Sequence, residues 1–87
     1  MYRDWHRQFE TIWLADIPGT EDHYLALFNI SDTTRVVTFE FEWESMRESY
    51  LVSDLWAHQD LGVFDKKFGQ SLEPHGAGLY RLSKQEK

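Results

Sequence analysis

The sequence predicts an all-β fold: a single antiparallel β-sandwich of six to seven or more short strands with Greek-key connections. Three observations carry this expectation. Between Arg35 and Trp43, large apolar residues alternate strictly with polar ones, a period of two that belongs to a strand with one packed and one wet face. Turn-forming residues recur roughly every 8–12 positions, as they do in sandwiches. No stretch of helical length shows a 3.6-residue apolar period. At 87 residues the chain suits one small domain, with a thin core for its length.

The elements follow in order. Thr11 to Ile17 mixes β-branched and aromatic residues and reads as a strand. Pro18-Gly19-Thr20-Glu21-Asp22 then supplies turn chemistry: a preset φ, a permissive glycine and two solvent-seeking carboxylates. His23 to Ile30 returns as a second strand, completing a hairpin. It is apolar on both faces, with Leu25 and Leu27 on one and Ala26, Phe28 and Ile30 on the other, which predicts a central position. After the polar cluster Ser31-Asp32-Thr33-Thr34, the strand Arg35–Trp43 places Val37, Phe39, Phe41 and Trp43 inward, and Glu40, Glu42 and Glu44 outward. Glu44 to Glu48 reads as a helical turn or loop. Tyr50 to Leu55 is a strand, Ala57 to Gly62 a turn, and Val63-Phe64 and Phe68 to Leu72 are strand pieces around Asp65-Lys66-Lys67. Glu73-Pro74-His75-Gly76 breaks the chain before a last strand, Ala77 to Ser83.

Composition narrows the functional classes. Fifteen acidic against 9 basic residues give a net charge of −6, which disfavours nucleic acid and anionic membrane as partners. There is no cysteine, hence no disulfide framework, thiolate zinc site or thiol nucleophile. No apolar run reaches the roughly 18 residues of a membrane span, and the charged opening Met1 to Arg7 does not resemble a signal peptide. Four Trp, six Phe and four Tyr are many for this length. Such rings either build a core economically or coat a surface that something else covers.

Candidate chemistry is sparse. His6, His23, His58 and His75 fit no metal-ligand spacing, so no metal site and no cofactor are expected. Glu40, Glu42 and Glu44 share a strand face, but opposite an aromatic stripe that face is a solvated one, not a catalytic dyad. The serines lack a nucleophile-elbow context. Asn29-Ile30-Ser31 matches the glycosylation sequon yet lies in or beside a strand, which discounts it. Trp13, Trp43 and Trp56 are expected in core or strand-end packing, with Trp56 plugging one end of the core. Trp5 alone lies in a stretch without an assigned role. Asp54 and Asp60 flank a tight turn whose backbone N–H groups a short carboxylate can accept, and Gly62 is expected at positive φ. Pro74 belongs at a strand's edge or start, and Gly76 with Gly78 points to a bulge or to a ring lying over the backbone. His75 is expected to hydrogen-bond a loop.

Three clusters in the second half carry a family resemblance: Asp54-Leu55-Trp56, His58-Gln59-Asp60-Leu61-Gly62, and Pro74-His75-Gly76-Ala77-Gly78-Leu79-Tyr80-Arg81-Leu82. Ile12-Trp13-Leu14-Ala15 and Leu25 to Asp32, including Phe28 and Asn29, extend it into the first half. Together they resemble the C-terminal β-sandwich of glycoside hydrolase family 27, the melibiase or α-galactosidase family. The resemblance implies a domain over residues 11–83, preceded by a linker remnant or an expression-derived segment at 1–10 and followed by a polar tail at 84–87. It further implies a non-catalytic structural domain that packs on a (β/α)₈ catalytic barrel of the same polypeptide. Such a barrel needs about 250 residues, so no catalytic residue is assigned to this chain. The isolated domain is expected to self-associate through an apolar face. The alternative is a carbohydrate-binding module using exposed aromatic rings.

Overall fold

The computed structural model describes residues 2–44 and 46–85. Eight strands are present: β1 (Tyr2–His6), β2 (Glu10–Asp16), β3 (His23–Asn29), β4 (Arg35–Glu40), β5 (Tyr50–Asp54), β6 (Gln59–Phe64), β7 (Lys67–Leu72) and β8 (Ala77–Lys84), with one 3₁₀ turn at Phe41–Glu44. They form a six-stranded sheet in the order β1-β2-β3-β8-β5-β6 and a two-stranded sheet, β4-β7. Every pairing is antiparallel. The β2-β3 and β5-β6 neighbours are hairpins. The β3-β8 and β8-β5 neighbours are instead joined by long excursions through the other strands, as in Greek-key sandwiches. β3 sits inside the large sheet, as its two apolar faces predicted.

The core lies between the two sheets. Ile12 and Leu14 from β2, Leu25 and Leu27 from β3, Val52 from β5, and Tyr80 and Leu82 from β8 face Val37 and Phe39 from β4 and Phe68 from β7. Aromatic rings bind the layers edge to face: Phe68 meets Tyr80 at 4.9 Å and Phe41 meets Tyr50 at 5.6 Å, arrangements worth somewhat more than their burial alone. Burial raises the hydroxyl pKa of both Tyr50 and Tyr80. The Tyr80 ring lies over the backbone of Gly78, where an added Cβ would come within 2.2 Å of the tyrosine oxygen. This is the ring-over-glycine arrangement expected for the last strand, supplied by a neighbour on the same strand face.

Several expectations are corrected. The strand predicted over Arg35–Trp43 stops at Glu40, and the chain winds into the 3₁₀ turn. Val37, Phe39 and Phe41 are buried as expected, but Trp43 is only partly so, and Glu44 turns back to pair with Arg3 of β1 instead of facing water. The turn expected at Ala57 to Gly62 falls at residues 55–58, because β6 already begins at Gln59. Leu61 is an extra residue in the β5-β6 ladder, so Val52 faces Gly62 while Ser53 faces Asp60. Gly62 takes its positive φ of 120° at this bulge and not in the turn. Val63-Phe64 and Phe68 to Leu72 do not pair with each other, since β6 closes the large sheet and β7 joins β4. The final strand continues through Lys84, held by hydrogen bonds from Lys84 N–H to Asp22 (2.9 Å) and from Gln85 N–H to the Ser49 carbonyl (2.9 Å). The rest of the expected tail, Glu86 and Lys87, lies outside the described residues. Residues 2–6, expected to precede the domain, pair along their whole length with β2.

Truncating Phe39 to Ala should cost about 3–5 kcal/mol, a large share of the roughly 5–15 kcal/mol that holds a domain together. Glu40→Gln should stay within about 0.5 kcal/mol. Denaturant unfolding of the two variants checks the register directly, since a strand shifted by one residue would invert their order.

Candidate functional site

Strand geometry sends alternate residues to opposite faces, so each strand that fills the core also presents a second row. In the large sheet that second row is mixed: an apolar patch on β2, β3 and β8 is bordered by Asp4 of β1, opposite Trp13, and by Arg81 of β8, opposite Tyr24. On β2, Ile12 and Leu14 are buried while Trp13 points outward and remains 42% exposed. On β1, Tyr2 stands opposite Ala15. On β3, Tyr24 pairs with Ala15 and Ala26 with Trp13, and Leu79 of β8 stands beside Ala26. The rings are held in place from the side: Tyr2 meets Trp13 edge-on at 5.9 Å, and Phe28 lies 4.8 Å from Trp13. Tyr2, Trp13, Ala15, Tyr24, Ala26 and Leu79 enclose a shallow recess of about 110 Å³. Farther along the sheet, Val63 on β6 is also exposed.

Of this face the sequence pattern shows only the β3 row with Ala26 and Phe28. It placed Trp13 in core or strand-end packing, yet the ring sits outside. Trp56, expected buried at one end, is 63% exposed at the tip of the β5-β6 turn. Asp54 explains its position. Its Oδ1 accepts the N–H groups of Trp56 and Ala57, both at 3.0 Å, which ends β5 and turns the next side chain outward. Leu55 stays partly buried and donates its N–H to the Leu79 carbonyl. His58 closes the turn at φ 53°. Asp60 caps no backbone and instead accepts the Ser53 hydroxyl at 2.8 Å. Trp5, the ring without an assigned strand, packs on the core beside Phe39 and Trp43. The available clue was β3, which the sequence already shows to be apolar on both sides.

The remaining candidate residues build one end of the sandwich. Asn29 is 1% exposed at the end of β3. Its two Nδ2 hydrogens are shared among the carbonyls of Thr33 (2.8 Å), Leu72 (3.0 Å) and Glu73 (3.0 Å). Its Oδ1 accepts the Ser31 N–H (3.0 Å) and hydroxyl (2.7 Å). One amide therefore joins the β3-β4 loop to the β7-β8 turn, and both loops cross between the sheets. A side chain so engaged has no room for a glycan, which accounts physically for discounting the sequon. His75, at φ 58°, donates its N–H to the Ser31 carbonyl (3.2 Å) and brings its Nε2 to 2.8 Å from Asp32, the loop-bridging role expected of it. Pro74 occupies the turn before β8, and Gly76 has no space for a side chain, since an added Cβ would lie 2.9 Å from the Glu73 carbonyl oxygen.

At the opposite end, ionic pairs tie the first strands to the last. Arg81 donates to Asp22 at 2.8 Å and Lys84 to Glu21 at 2.8 Å, while His23 Nδ1 lies 3.0 Å from Asp16. The Arg81 hydrogen bond holds the Asp22 carboxyl below the usual carboxylate range. Among the described residues no group of three His, Asp or Glu is placed to hold a metal ion. Glu40 and Glu42 border an open groove with Asp65, Lys66 and Lys67.

Comparison with known proteins supplies the context. The family profile described as the alpha galactosidase C-terminal beta sandwich domain matches residues 11–82. Among solved structures, a glycoside hydrolase family 27 β-L-arabinopyranosidase from Geobacillus stearothermophilus, in complex with arabinose, is similar over 99% of this chain at 26% identity, with a TM-score of 0.91. The α-galactosidase I of Mortierella vinacea shares the fold over 99% of the chain at 18% identity and a TM-score of 0.84. An isomalto-dextranase from Arthrobacter globiformis T6, complexed with panose, is 30% identical over 87% of the chain, with a TM-score of 0.75. The chain spans only 20%, 24% and 13% of these three structures. No curated protein sequence matches it significantly.

Two expectations follow for the polar ends. Asn29→Ala should destabilise by roughly 3 kcal/mol, because it strands the Leu72 carbonyl and the Ser31 groups inside the protein; equilibrium unfolding measures this, and a loss below about 1 kcal/mol would contradict the hub assigned to Asn29. Because the folded-state pKa of Asp22 is depressed, its ionic contribution is complete above the unfolded value of 3.8 and fades as pH falls through the folded value. Melting temperatures of Asp22→Asn and the parent protein should therefore differ near neutrality and converge in acid.

Proposed function

We propose a structural and non-catalytic role for this chain, which belongs to the alpha galactosidase C-terminal beta sandwich domain family. In this reading the domain, with β1 included in it, packs on and supports a (β/α)₈ catalytic barrel carried by the same polypeptide, and the whole protein is a glycoside hydrolase resembling an α-galactosidase. The observation that carries it is the outer face of the six-stranded sheet. A two-layer sandwich in water keeps its outer faces polar, whereas here Tyr2, Trp13 and Tyr24 stand 53%, 42% and 42% exposed around two alanines and a leucine. Contiguous apolar surface of this kind marks a contact with another protein surface, and domains within one chain bury roughly 600–1,500 Å² against each other. The similar structures, about five times this chain's length, have the room for such a neighbour.

The same exposed rings favour a second reading, a carbohydrate-binding module. Two features weigh against it. The recess of about 110 Å³ is well below the roughly 300–1,000 Å³ of ordinary ligand pockets. Its walls are side chains of Tyr2, Trp13, Ala15, Tyr24, Ala26 and Leu79, and the Tyr2 hydroxyl already donates to Asp4 at 3.1 Å. Sugar hydroxyls seated within the recess would lose water and meet mostly hydrocarbon, which costs binding energy.

Sedimentation across a concentration series, with and without galactose, separates the readings when paired with calorimetric titration of galactosides. The docking role predicts association that rises with concentration, is insensitive to galactose and is abolished by a folded Trp13→Ser/Tyr24→Ser variant. It also predicts no turnover of p-nitrophenyl α-galactoside. A strict monomer that binds a galactoside saturably would move the assignment to the carbohydrate-binding module.

A further inference from the structure

We propose that the recess on the outer face of the large sheet is a socket for one aliphatic side chain, of leucine or isoleucine size, carried by the domain that packs against this one. The inference rests on the docking role above and gives that contact its anchor point. The sequence pattern on the two strands is the starting point. Trp13 on β2 stands beside Ala26 on β3, and Ala15 on β2 beside Tyr24 on β3. Large and small residues therefore alternate in a checkerboard, with the two alanines diagonal to each other. Sheets by themselves favour β-branched or aromatic residues at such central positions, and alanine is depleted there. Ala26 is already 9% exposed beneath its neighbours, and with the half-buried Ala15 it forms the floor of the recess. Tyr2, Trp13, Tyr24 and Leu79 rise around that floor as a rim.

Size and chemistry then select the occupant. A water molecule's share of liquid volume is about 30 Å³, so a recess of about 110 Å³ holds on the order of four heavy atoms. That suits the four carbons of a leucine or isoleucine side chain and is too little to enclose a hexopyranose. The lining offers hydrocarbon and ring faces, and burying an aliphatic group against them releases water at both surfaces. Aromatic walls around a small pocket, fixed by their own ring contacts, are the features of an interface position that carries much of the binding energy. That side chain comes from the domain preceding this one in a longer polypeptide, since this chain makes up only 20–24% of the family 27 enzyme and the α-galactosidase that it overlays.

Isobutanol, which carries the leucine side-chain skeleton, is the probe. It is titrated into the ¹⁵N-labelled chain at a concentration where the protein is monomeric, with galactose as the parallel titrant. Shifts should concentrate at the Trp13 indole and at the amides of Ala15, Ala26 and Leu79, and saturate with a single dissociation constant. Ala26→Leu, which fills the socket from within, should reduce them at least tenfold while the rest of the spectrum is retained. Ala15→Val gives the same test if Ala26→Leu does not fold. Shifts that are non-saturating, scattered over the surface or unchanged in the filled variants would overturn the socket alone and leave the docking role standing. Galactose saturating the same residues would overturn the socket and the docking role together.

Discussion

The six-stranded sheet carries apolar residues on both faces, and among the described residues only its inner face is covered. The inner face of the six-stranded sheet is closed by β4, β7 and the 3₁₀ turn, whose Val37, Phe39, Phe41 and Phe68 are essentially inaccessible to water. The outer face carries Trp13, Tyr24 and Tyr2 into solvent. The two faces come from the same strands, so the assignment of each residue is fixed by register. Ile12 and Leu14 inside require Trp13 and Ala15 outside. Any slip that hid Trp13 would expose Ile12 and Leu14 in its place. The exposed rings are thus not accidental excess at a loose surface; the same register that makes the core displays them.

What holds that register at one end is a single buried amide. Asn29 completes its hydrogen bonds on carbonyls of the β3-β4 loop and the β7-β8 turn, two of the four crossings that carry the chain between the sheets. Its own N–H donates to the Gly76 carbonyl at 2.9 Å. Pro74, His75 and Gly76 form the turn beside this hub that leads into β8, which lies between β3 and β5. At the other end Asp22 accepts both the Arg81 guanidinium and the Lys84 backbone, so β8 is fastened at both ends. Leu79, at the middle of that strand line, is thereby placed beside Ala26 on the outer face.

Much of this was legible in the sequence, and the physical reasons separate what was from what was not. Periodicity gave the strand class, the inward set Val37, Phe39 and Phe41, and the β2-β3 hairpin. It failed at Trp43 because a strand and a 3₁₀ turn can both continue an alternation for a few residues, and only tertiary contact with Arg3 and Trp5 decides between them. Trp56 was misplaced because its exposure is set by the Asp54 cap, a local hydrogen bond that overrides the ring's preference for burial. β1 was invisible for a different reason. As an edge strand with Arg3, Asp4 and His6 among its five residues, it has little apolar period to detect. The outer face needed the pairing register, because Tyr2, Ala15, Tyr24, Ala26 and Leu79 come from four strands scattered along the chain. The motif residues around Asp54, Asn29 and His75 were recognisable by resemblance, while their partners across the fold were not.

The central claim is that the outer face is covered by a neighbouring domain. Hydroxyl-radical footprinting addresses it most directly, comparing the isolated chain with the same chain substituted for the C-terminal sandwich of the Geobacillus stearothermophilus β-L-arabinopyranosidase that it overlays. The account predicts strong protection of Tyr2, Trp13, Tyr24 and Leu79 in the larger protein, with Val36 on the small sheet left as reactive as before. Equal reactivity of Trp13 and Tyr24 in the two proteins, with the rest of the enzyme folded, would contradict it.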